Sequence, residues 1–125
     1  MFGFHRANLL VRFVIEVAAF VLLGFGGYAV ADGAFAWILA LGLPMLAMSA
    51  WATFNVPGDR SRNGRAPVPV PGPVRLALEW GVLVAAVVFG WFASPIAATV
   101  LAIAVIVHYG LSVDRIGWLV HATGP

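Results

Sequence analysis

Two arginine–glutamate pairs with the same spacing are the residues of this chain best suited to chemistry. Arg12 precedes Glu16 by four residues, and Arg75 precedes Glu79 by four residues. Each pair lies near the start of an apolar run, where a charged side chain is costly unless it is paired or contacts water. A carboxylate in such a run can neutralise a cation, line a polar cavity or exchange a proton. The pairs are therefore the first candidates for a buried polar site.

The spacing places the two members of each pair on one helical face. Arg12 is close enough to the membrane boundary to extend towards the headgroups, whereas Glu16 lies about 10 Å inside the apolar run. If the two helices that carry the pairs pack together, crossed contacts become available. We expect Arg12 to meet Glu79 and Arg75 to meet Glu16.

Two further polar residues are expected at the same level. His108 lies near the end of the last apolar run, and Asn55 ends the second run. The candidate buried polar network therefore comprises six residues: Arg12, Glu16, Asn55, Arg75, Glu79 and His108. Such a network can be a structural staple that fixes helix register, or a site for binding or proton handling. The residues leave both interpretations open.

Four apolar segments must position these side chains, each near the roughly 20 residues that cross a bilayer as a helix. They cover residues 9–31, 34–56, 74–93 and 95–113, with an arginine- and proline-rich loop at 57–73 and a tail at 114–125. The 125 residues are 62% hydrophobic and 10% charged, which is too little polar surface for a soluble domain. We predict an all-α integral membrane domain of four transmembrane helices in two tandem hairpins.

The distribution of basic residues predicts the topology. All seven are arginines, and they lie near the chain termini, in the 57–73 loop or at the starts of the first and third segments. By the positive-inside rule, both termini and the long loop face the cytoplasm. Arg60, Arg62 and Arg65 of the loop are weak candidates for contact with lipid headgroups.

An internal repeat with an offset of 63 residues supports the hairpin arrangement. Val11-Arg12 aligns with Val74-Arg75, and Glu16 aligns with Glu79, so both copies enter the membrane from the same side. The repeat also opposes reading Ala29-Val-Ala31 as a signal-peptidase site, as does Glu16 within the would-be apolar region. In the second copy, the small residues at 77, 81 and 85 predict a close packing face.

Several short motifs resemble the YrdB-like family of small bacterial four-helix membrane proteins of uncharacterised function. They are Asn8-Leu-Leu-Val-Arg-Phe-Val-Ile-Glu16 in the first segment, Trp51-Ala-Thr-Phe at the end of the second, and Val74-Arg-Leu-Ala-Leu-Glu79 in the third. The resemblance covers residues 8–109 and implies no activity. It also implies an amide side chain late in the fourth helix, where this chain has His108.

The remaining residues favour a non-enzymatic protein. There is no cysteine, no nucleophile–base motif and no clustered metal-ligand motif, so neither a metal nor a cofactor is expected. The net charge of +2 is too small to indicate a nucleic-acid partner. We expect the lipid bilayer, and either a second copy or another membrane protein, as partners of a structural or accessory protein. A dimeric small-molecule or proton-coupled transporter that uses Glu16 and Glu79 is the alternative, and a lipid-modifying enzyme is a distant third.

Overall fold

The computed structural model describes residues 2–60, 62 and 65–123. Ser61, Asn63 and Gly64 of the predicted loop, and Gly124 and Pro125 of the predicted tail, lie outside the described residues. A 3₁₀ turn at Phe2–Phe4 precedes five helices and two short strands. In chain order the elements are α1 (Arg6–Ala29), α2 (Gly33–Thr53), β1 (Phe54–Asn55), β2 (Val68–Pro69), α3 (Gly72–Ala93), α4 (Pro95–Leu111) and α5 (Val113–His121).

Local chemistry explains the two tight hairpins. Between α1 and α2 the chain reverses at Gly33, whose φ of +59° is a conformation that favours glycine. Between α3 and α4 the single residue Ser94 makes the turn. Its Oγ accepts a hydrogen bond from the backbone N–H of Ala97 at 3.1 Å, and Pro95 occupies the first helical position, where no N–H is required. The two helices of each hairpin therefore run antiparallel.

Two elements differ from the segments drawn on the sequence. The second helix ends at Thr53 rather than continuing to residue 56, because Phe54 and Asn55 pair in parallel with Val68 and Pro69 and close the long loop at its base. The segment predicted as a tail contains a helix, α5, which bends away from α4 by 73°.

The core lies where α1, α3 and α4 meet. α1 is central and packs against α2, α3 and α4, whereas α2 contacts mainly α1. Buried core side chains come from all four long helices, and α1 and α4 contribute the most. They are Ile15, Ala19, Leu22, Leu23, Ala47, Trp51, Leu83, Ala86, Ala98, Leu101, Val105 and Tyr109.

Glycine allows two close backbone approaches. A Cβ at Gly26 of α1 would collide with the backbone of Phe89 in α3, and a Cβ at Gly72 would collide with the carbonyl of Leu119 in α5. Gly81 is different, since a Cβ there would meet nothing within 4 Å. The small-residue face that we predicted at 77, 81 and 85 therefore points out of the bundle at its first two positions, which are exposed.

Three helices, α1, α2 and α3, are each long and apolar enough to cross a membrane. α4 and α5 together form a bent pair that could supply a fourth crossing. Large apolar side chains are exposed along every long helix, including Leu46 at 70% and Ile96 at 79%. Exposed apolar surface on this scale is unusual for a soluble monomer and is expected where helices face lipid.

Candidate functional site

Apart from Asp32, the charged residues of the chain collect at one end of the bundle, where α1 and α3 begin and α2 and α4 end. We call this the charged end. Six of the described residues there are linked by ion pairs with N–O distances of 2.7–3.1 Å, and we call these six the charge cluster. They are Arg12, Glu16, Asp59, Arg75, Glu79 and Arg115.

Glu79 of α3 is the centre of the charge cluster, and its side chain is 0% exposed. Its Oε2 accepts hydrogen bonds from Arg12 Nη2 at 2.8 Å, Arg75 Nε at 2.8 Å and Arg115 Nη2 at 2.9 Å. Its Oε1 accepts from Arg115 Nη1 at 3.0 Å and from the Tyr109 hydroxyl at 2.6 Å. Every neighbour donates, so the carboxyl group acts as an acceptor only, which is the hydrogen-bonding role of the ionised form.

Arg75 connects Glu79 to the end of α2. Its Nη1 donates to the carbonyls of Trp51 at 2.7 Å and Phe54 at 2.9 Å, and its guanidinium carbon lies 4.8 Å from the Trp51 ring centroid. Carbonyls at a helix C-terminus lack intrahelical donors, and a cation there is favoured by the helix dipole. Arg75 thus both pairs with Glu79 and caps α2, while its buried Nη2 has no hydrogen-bond partner.

Glu16 of α1 occupies a less enclosed position, with 15% of its side chain exposed. Its Oε1 accepts from Arg12 Nε at 3.1 Å and from the Trp51 indole at 2.9 Å, and Arg62 Nη1 lies 3.6 Å away. Each glutamate therefore receives a hydrogen bond from its own i−4 arginine. Each also receives one from an aromatic side chain of the other helix in its hairpin, Trp51 for Glu16 and Tyr109 for Glu79.

Arg115 breaks this near-symmetry, because it comes from α5, which has no counterpart in the first hairpin. In addition to its two bonds to Glu79, its Nη2 donates to Asp59 Oδ2 at 2.7 Å. Asp59 lies in the long loop and is 1% exposed. One guanidinium thus joins the loop and α5 to α3.

Two of the loop and tail arginines have shifted pKa values. Burial opposes the charge of Arg115, but hydrogen bonds and charge attraction from Glu79 and then Asp59 outweigh burial and raise the pKa of this guanidinium. For Arg62, burial lowers the pKa, and the charge of Glu16 offsets only part of the effect. The two carboxylates thus compensate the cost of burying the Arg115 cation.

A second polar group, separate from the charge cluster, joins the first and last turns of the bundle. We call Asn8, His108 and Ser112 the Asn8 group. Asn8 Nδ2 donates to Ser112 Oγ at 2.8 Å, and Asn8 Oδ1 lies 3.0 Å from His108 Nδ1. The amide oxygen can only accept, so His108 carries its proton on Nδ1 in this contact. Ser112 Oγ donates to the carbonyl of His108 at 2.8 Å, so it is not placed as a nucleophile towards the imidazole.

The structure brings together four of the six residues of the predicted network: Arg12, Glu16, Arg75 and Glu79. The expected contact of Arg12 with Glu79 is present. Arg75, however, bonds to Glu79 and the end of α2 instead of making the expected crossed pair with Glu16, because Glu79 lies one turn away on its own helix.

The other two predicted members lie outside the charge cluster. Asn55 Nδ2 donates to the carbonyl of Ala52 at 2.7 Å, and its buried Oδ1 has no partner, so this residue caps the end of α2. His108 belongs to the Asn8 group.

Of the three loop arginines predicted to contact lipid headgroups, one is directed into the protein and two are exposed. Arg62 turns inward towards Glu16, and only 21% of its side chain is exposed. Arg60 is exposed and lies over the Phe4 ring, with 4.1 Å between the guanidinium carbon and the ring centroid. Arg65 is exposed.

The sequence did not identify Arg115, Asp59, Asn8 or Ser112 as members of a site. A weak signal exists for Arg115. Between Val113 and His121, apolar residues alternate with polar ones at helical spacing, and Arg115 and Leu119, four apart, share the buried side of this helix. The pattern predicts an amphipathic helix, but it does not say that an arginine lies on the packed side.

The ionisable side chains of the charged end form a charge network. Within the part of the chain that the structure describes, no three His, Asp or Glu residues are grouped so that they could hold a metal. Two grooves, of about 620 and 680 Å³, lie on either side of α1 and reach its far half. Both are lined almost entirely by apolar side chains, and neither includes a member of the charge cluster.

Comparison with known proteins agrees with the motifs seen in the sequence. Residues 10–107 match the family described as "Protein of unknown function (DUF2568)". The chain is also 37% identical over 120 residues to the uncharacterized protein YrdB of Bacillus subtilis (strain 168), covering 94% of this chain and 96% of that protein. No solved structure matches the chain significantly. The family match and the near full-length relative together establish that the chain belongs to the YrdB-like (DUF2568) family.

Proposed function

We propose that this chain is a four-span protein of the bacterial cytoplasmic membrane with both termini and the long loop on the cytoplasmic side. In this arrangement α1 to α4 form one transmembrane domain and α5 lies at the cytoplasmic surface. All seven arginines are at or near the charged end, whereas Asp32 is the charged residue of the short α1–α2 turn. The positive-inside rule then assigns the charged end to the cytoplasm.

We further propose that the protein is a non-enzymatic structural or accessory membrane protein whose charge cluster holds the bundle together. The observation that carries this proposal is Glu79. One fully buried carboxylate receives donors from α1, α3, α4 and α5, and through Arg115 it is linked to the loop. Removing one partner from such a set leaves buried charge uncompensated, so the set resists separation of any single element.

The same contacts argue against the transporter alternative. A carboxylate that exchanges protons or binds a cation must exchange partners with water or substrate, and Glu79 is enclosed by three guanidinium groups and a phenol. Glu16 is more accessible, but both it and its neighbours are already paired. The proposed partners are accordingly lipid and another membrane protein, or a second copy, placed against exposed helix faces.

Topology can be tested directly because the native chain has no cysteine. Single-cysteine variants Asp32→Cys and His121→Cys, both at exposed positions, should react from opposite sides of an intact inner membrane with a membrane-impermeant maleimide. Asp32→Cys should be labelled from outside and His121→Cys only after lysis. Labelling of both from outside would contradict the four-span arrangement.

The transporter alternative has its own test. Proteoliposomes loaded with a pH-sensitive dye are given a pH gradient and a potassium–valinomycin potential. The accessory-protein proposal expects wild-type protein to pass protons no faster than protein-free vesicles. A flux above that background which disappears in Glu16→Gln would favour transport instead.

The accessory role predicts a protein neighbour. A photo-crosslinking amino acid at Leu46 of α2, 70% exposed, should give a discrete adduct in cells, and Ile96 of α4, 79% exposed, serves as the matched position on another helix. Discrete protein adducts at one position and not the other would support a specific partner. Lipid adducts alone at both positions would contradict it.

A further inference from the structure

At the charged end, some arginine side chains are exposed, whereas the acidic side chains are buried or partly buried. The chain has five acidic residues, and four of them are at this end: Glu16, Asp59, Glu79 and Asp114. The first three belong to the charge cluster. Asp114 is half-buried, and its Oδ1 accepts the backbone N–H of Gly3 at 2.8 Å while its Oδ2 is buried. The acidic groups at this end are therefore directed into the protein.

Arginines at the same end remain on the surface. Arg6 begins α1, Arg60 and Arg65 lie in the long loop, and all three are exposed. Arg60 is held over the ring of Phe4, which fixes the loop beside the N-terminal turn. A guanidinium stacked on a ring keeps its N–H donors in a planar fork that can bind phosphate oxygens in pairs. This surface thus presents cationic donors while its carboxylates are internal.

α5 gives this surface an apolar border. Arg115 and Leu119 attach the helix to the bundle, and the hydrogen bond from Gly72 N–H to the carbonyl of Ala122 at 3.0 Å holds its end. Trp118 and Val120, which lie about 200° apart around the helix and flank this attached face, are exposed. A helix bent by 73° from α4, with an exposed tryptophan and an exposed valine, has the form of an interfacial helix.

We propose that Arg6 and Arg60, together with the exposed Trp118 and Val120 of α5, bind anionic phospholipid headgroups of the cytoplasmic leaflet. This inference rests on the proposed four-span topology, which puts these residues at that leaflet. Charge complementarity selects an anionic lipid: the donors suit a phosphate, and no exposed carboxylate in the described part of the charged end opposes it. Trp118 and Val120 enter the same interface and keep the arginines at headgroup depth.

The test compares lipids that remain bound to the purified protein. Wild type in nanodiscs made from equal parts phosphatidylglycerol and phosphatidylcholine is released into the gas phase, and native mass spectrometry counts the two kinds of adduct. A basic residue near an anionic surface contributes roughly fivefold in binding. Arg6→Gln with Arg60→Gln should therefore lower the ratio of phosphatidylglycerol to phosphatidylcholine adducts roughly 25-fold.

Two matched variants isolate the cause. Arg6→Lys with Arg60→Lys retains the charge and should retain most of the preference, whereas Asp32→Asn alters an exposed charge at the opposite end and should leave the ratio unchanged. The glutamine double variant should also unfold close to wild type, because both arginines are exposed. Loss of the cation–π contact of Arg60 with Phe4, at an exposed site, changes the unfolding equilibrium only about two- to fivefold.

Three outcomes would overturn the proposal: no preference for phosphatidylglycerol in wild type, an unchanged ratio in the glutamine double variant, or an equal change in Asp32→Asn. Preferential retention of an acidic protein or nucleic acid by this surface would also overturn it. Cysteine labelling reads the topology separately, so a failed lipid preference with the expected labelling would reject this inference alone.

Discussion

Glu79→Gln is the substitution that tests the charge cluster most severely. Glutamine keeps the size of the side chain and one acceptor oxygen, but it removes the negative charge and places an NH₂ donor where a carboxylate oxygen accepts from arginine. Arg12 and Arg75 then lose their bonds to a fully buried anion, and Arg115 retains only Asp59. Removing one partner of a buried ion pair costs about 3–5 kcal/mol. Because three cations depend on Glu79, we expect a loss at the upper end of that range.

The matched control is Glu16→Gln. Glu16 is 15% exposed, and Arg12 keeps its bond to Glu79 when Glu16 is neutralised. The expected cost is about 1–3 kcal/mol, which is typical of a buried donor left unsatisfied. A loss of 3–5 kcal/mol in Glu79→Gln corresponds to a roughly 10²- to 10⁴-fold change in the unfolding equilibrium.

Unfolding in mixed micelles, titrated with sodium dodecyl sulfate and followed by tryptophan fluorescence, measures both variants. A double-mutant cycle that combines Glu79→Gln with Arg115→Met provides a second measurement. Removing that arginine together with Glu79 should cost less than the sum of the single losses, with a coupling of about 0.5–3 kcal/mol. Equal losses for the two glutamine variants, or no loss in Glu79→Gln, would refute the central role that we assign to Glu79.

Two further predictions concern the elements that the charge cluster joins. Gly72→Ala should displace α5, because the added Cβ would collide with the Leu119 carbonyl, whereas Gly81→Ala in the same helix meets nothing within 4 Å and should be neutral or stabilising. Limited proteolysis in nanodiscs measures how strongly the C-terminal segment is protected in each variant. Equal protection in the two variants would contradict the close approach of Gly72 to Leu119. Asn8→Ala should lower stability by about 1–3 kcal/mol, because Ser112 and His108 lose a buried partner. If Asn8→Ala unfolds like wild type, the Asn8 group contributes nothing to stability.

The sequence predicted the helical class and the long apolar helices, because long apolar runs without the alternation of a strand favour helices. The prediction from sequence was less accurate where an element depends on contacts with residues distant in the chain. The end of α2 is set by pairing of Phe54 and Asn55 with Val68 and Pro69, and nothing local to residue 55 signals that contact. The packing of α5 likewise depends on Asp59 and Glu79, which lie 56 and 36 residues away from Arg115.

The repeat correctly predicted that Arg12 and Arg75 pair with the glutamate of their own helix. It also predicted equivalent partners for the two glutamates, and this part was wrong. Equal spacing within α1 and α3 guarantees an intrahelical pair in each, and both pairs are present. The spacing does not predict the further arginine that each glutamate contacts. α5 follows only the second hairpin, so Arg115 reaches Glu79, while Glu16 receives the half-buried Arg62.

This asymmetry assigns different roles to the two glutamates. Glu79 is fully buried and paired, so any loss of its charge must disturb α1, α3 and α5 together. Glu16 is partly exposed and forms an ion pair with Arg62 of the loop at 3.6 Å, so its environment can change without opening the bundle. If the charge cluster responds to a partner at the charged end, that response should begin with the Glu16–Arg62 pair. Arg62→Gln should then alter partner binding while leaving unfolding close to wild type, since partly exposed pairs contribute only about 0–1 kcal/mol.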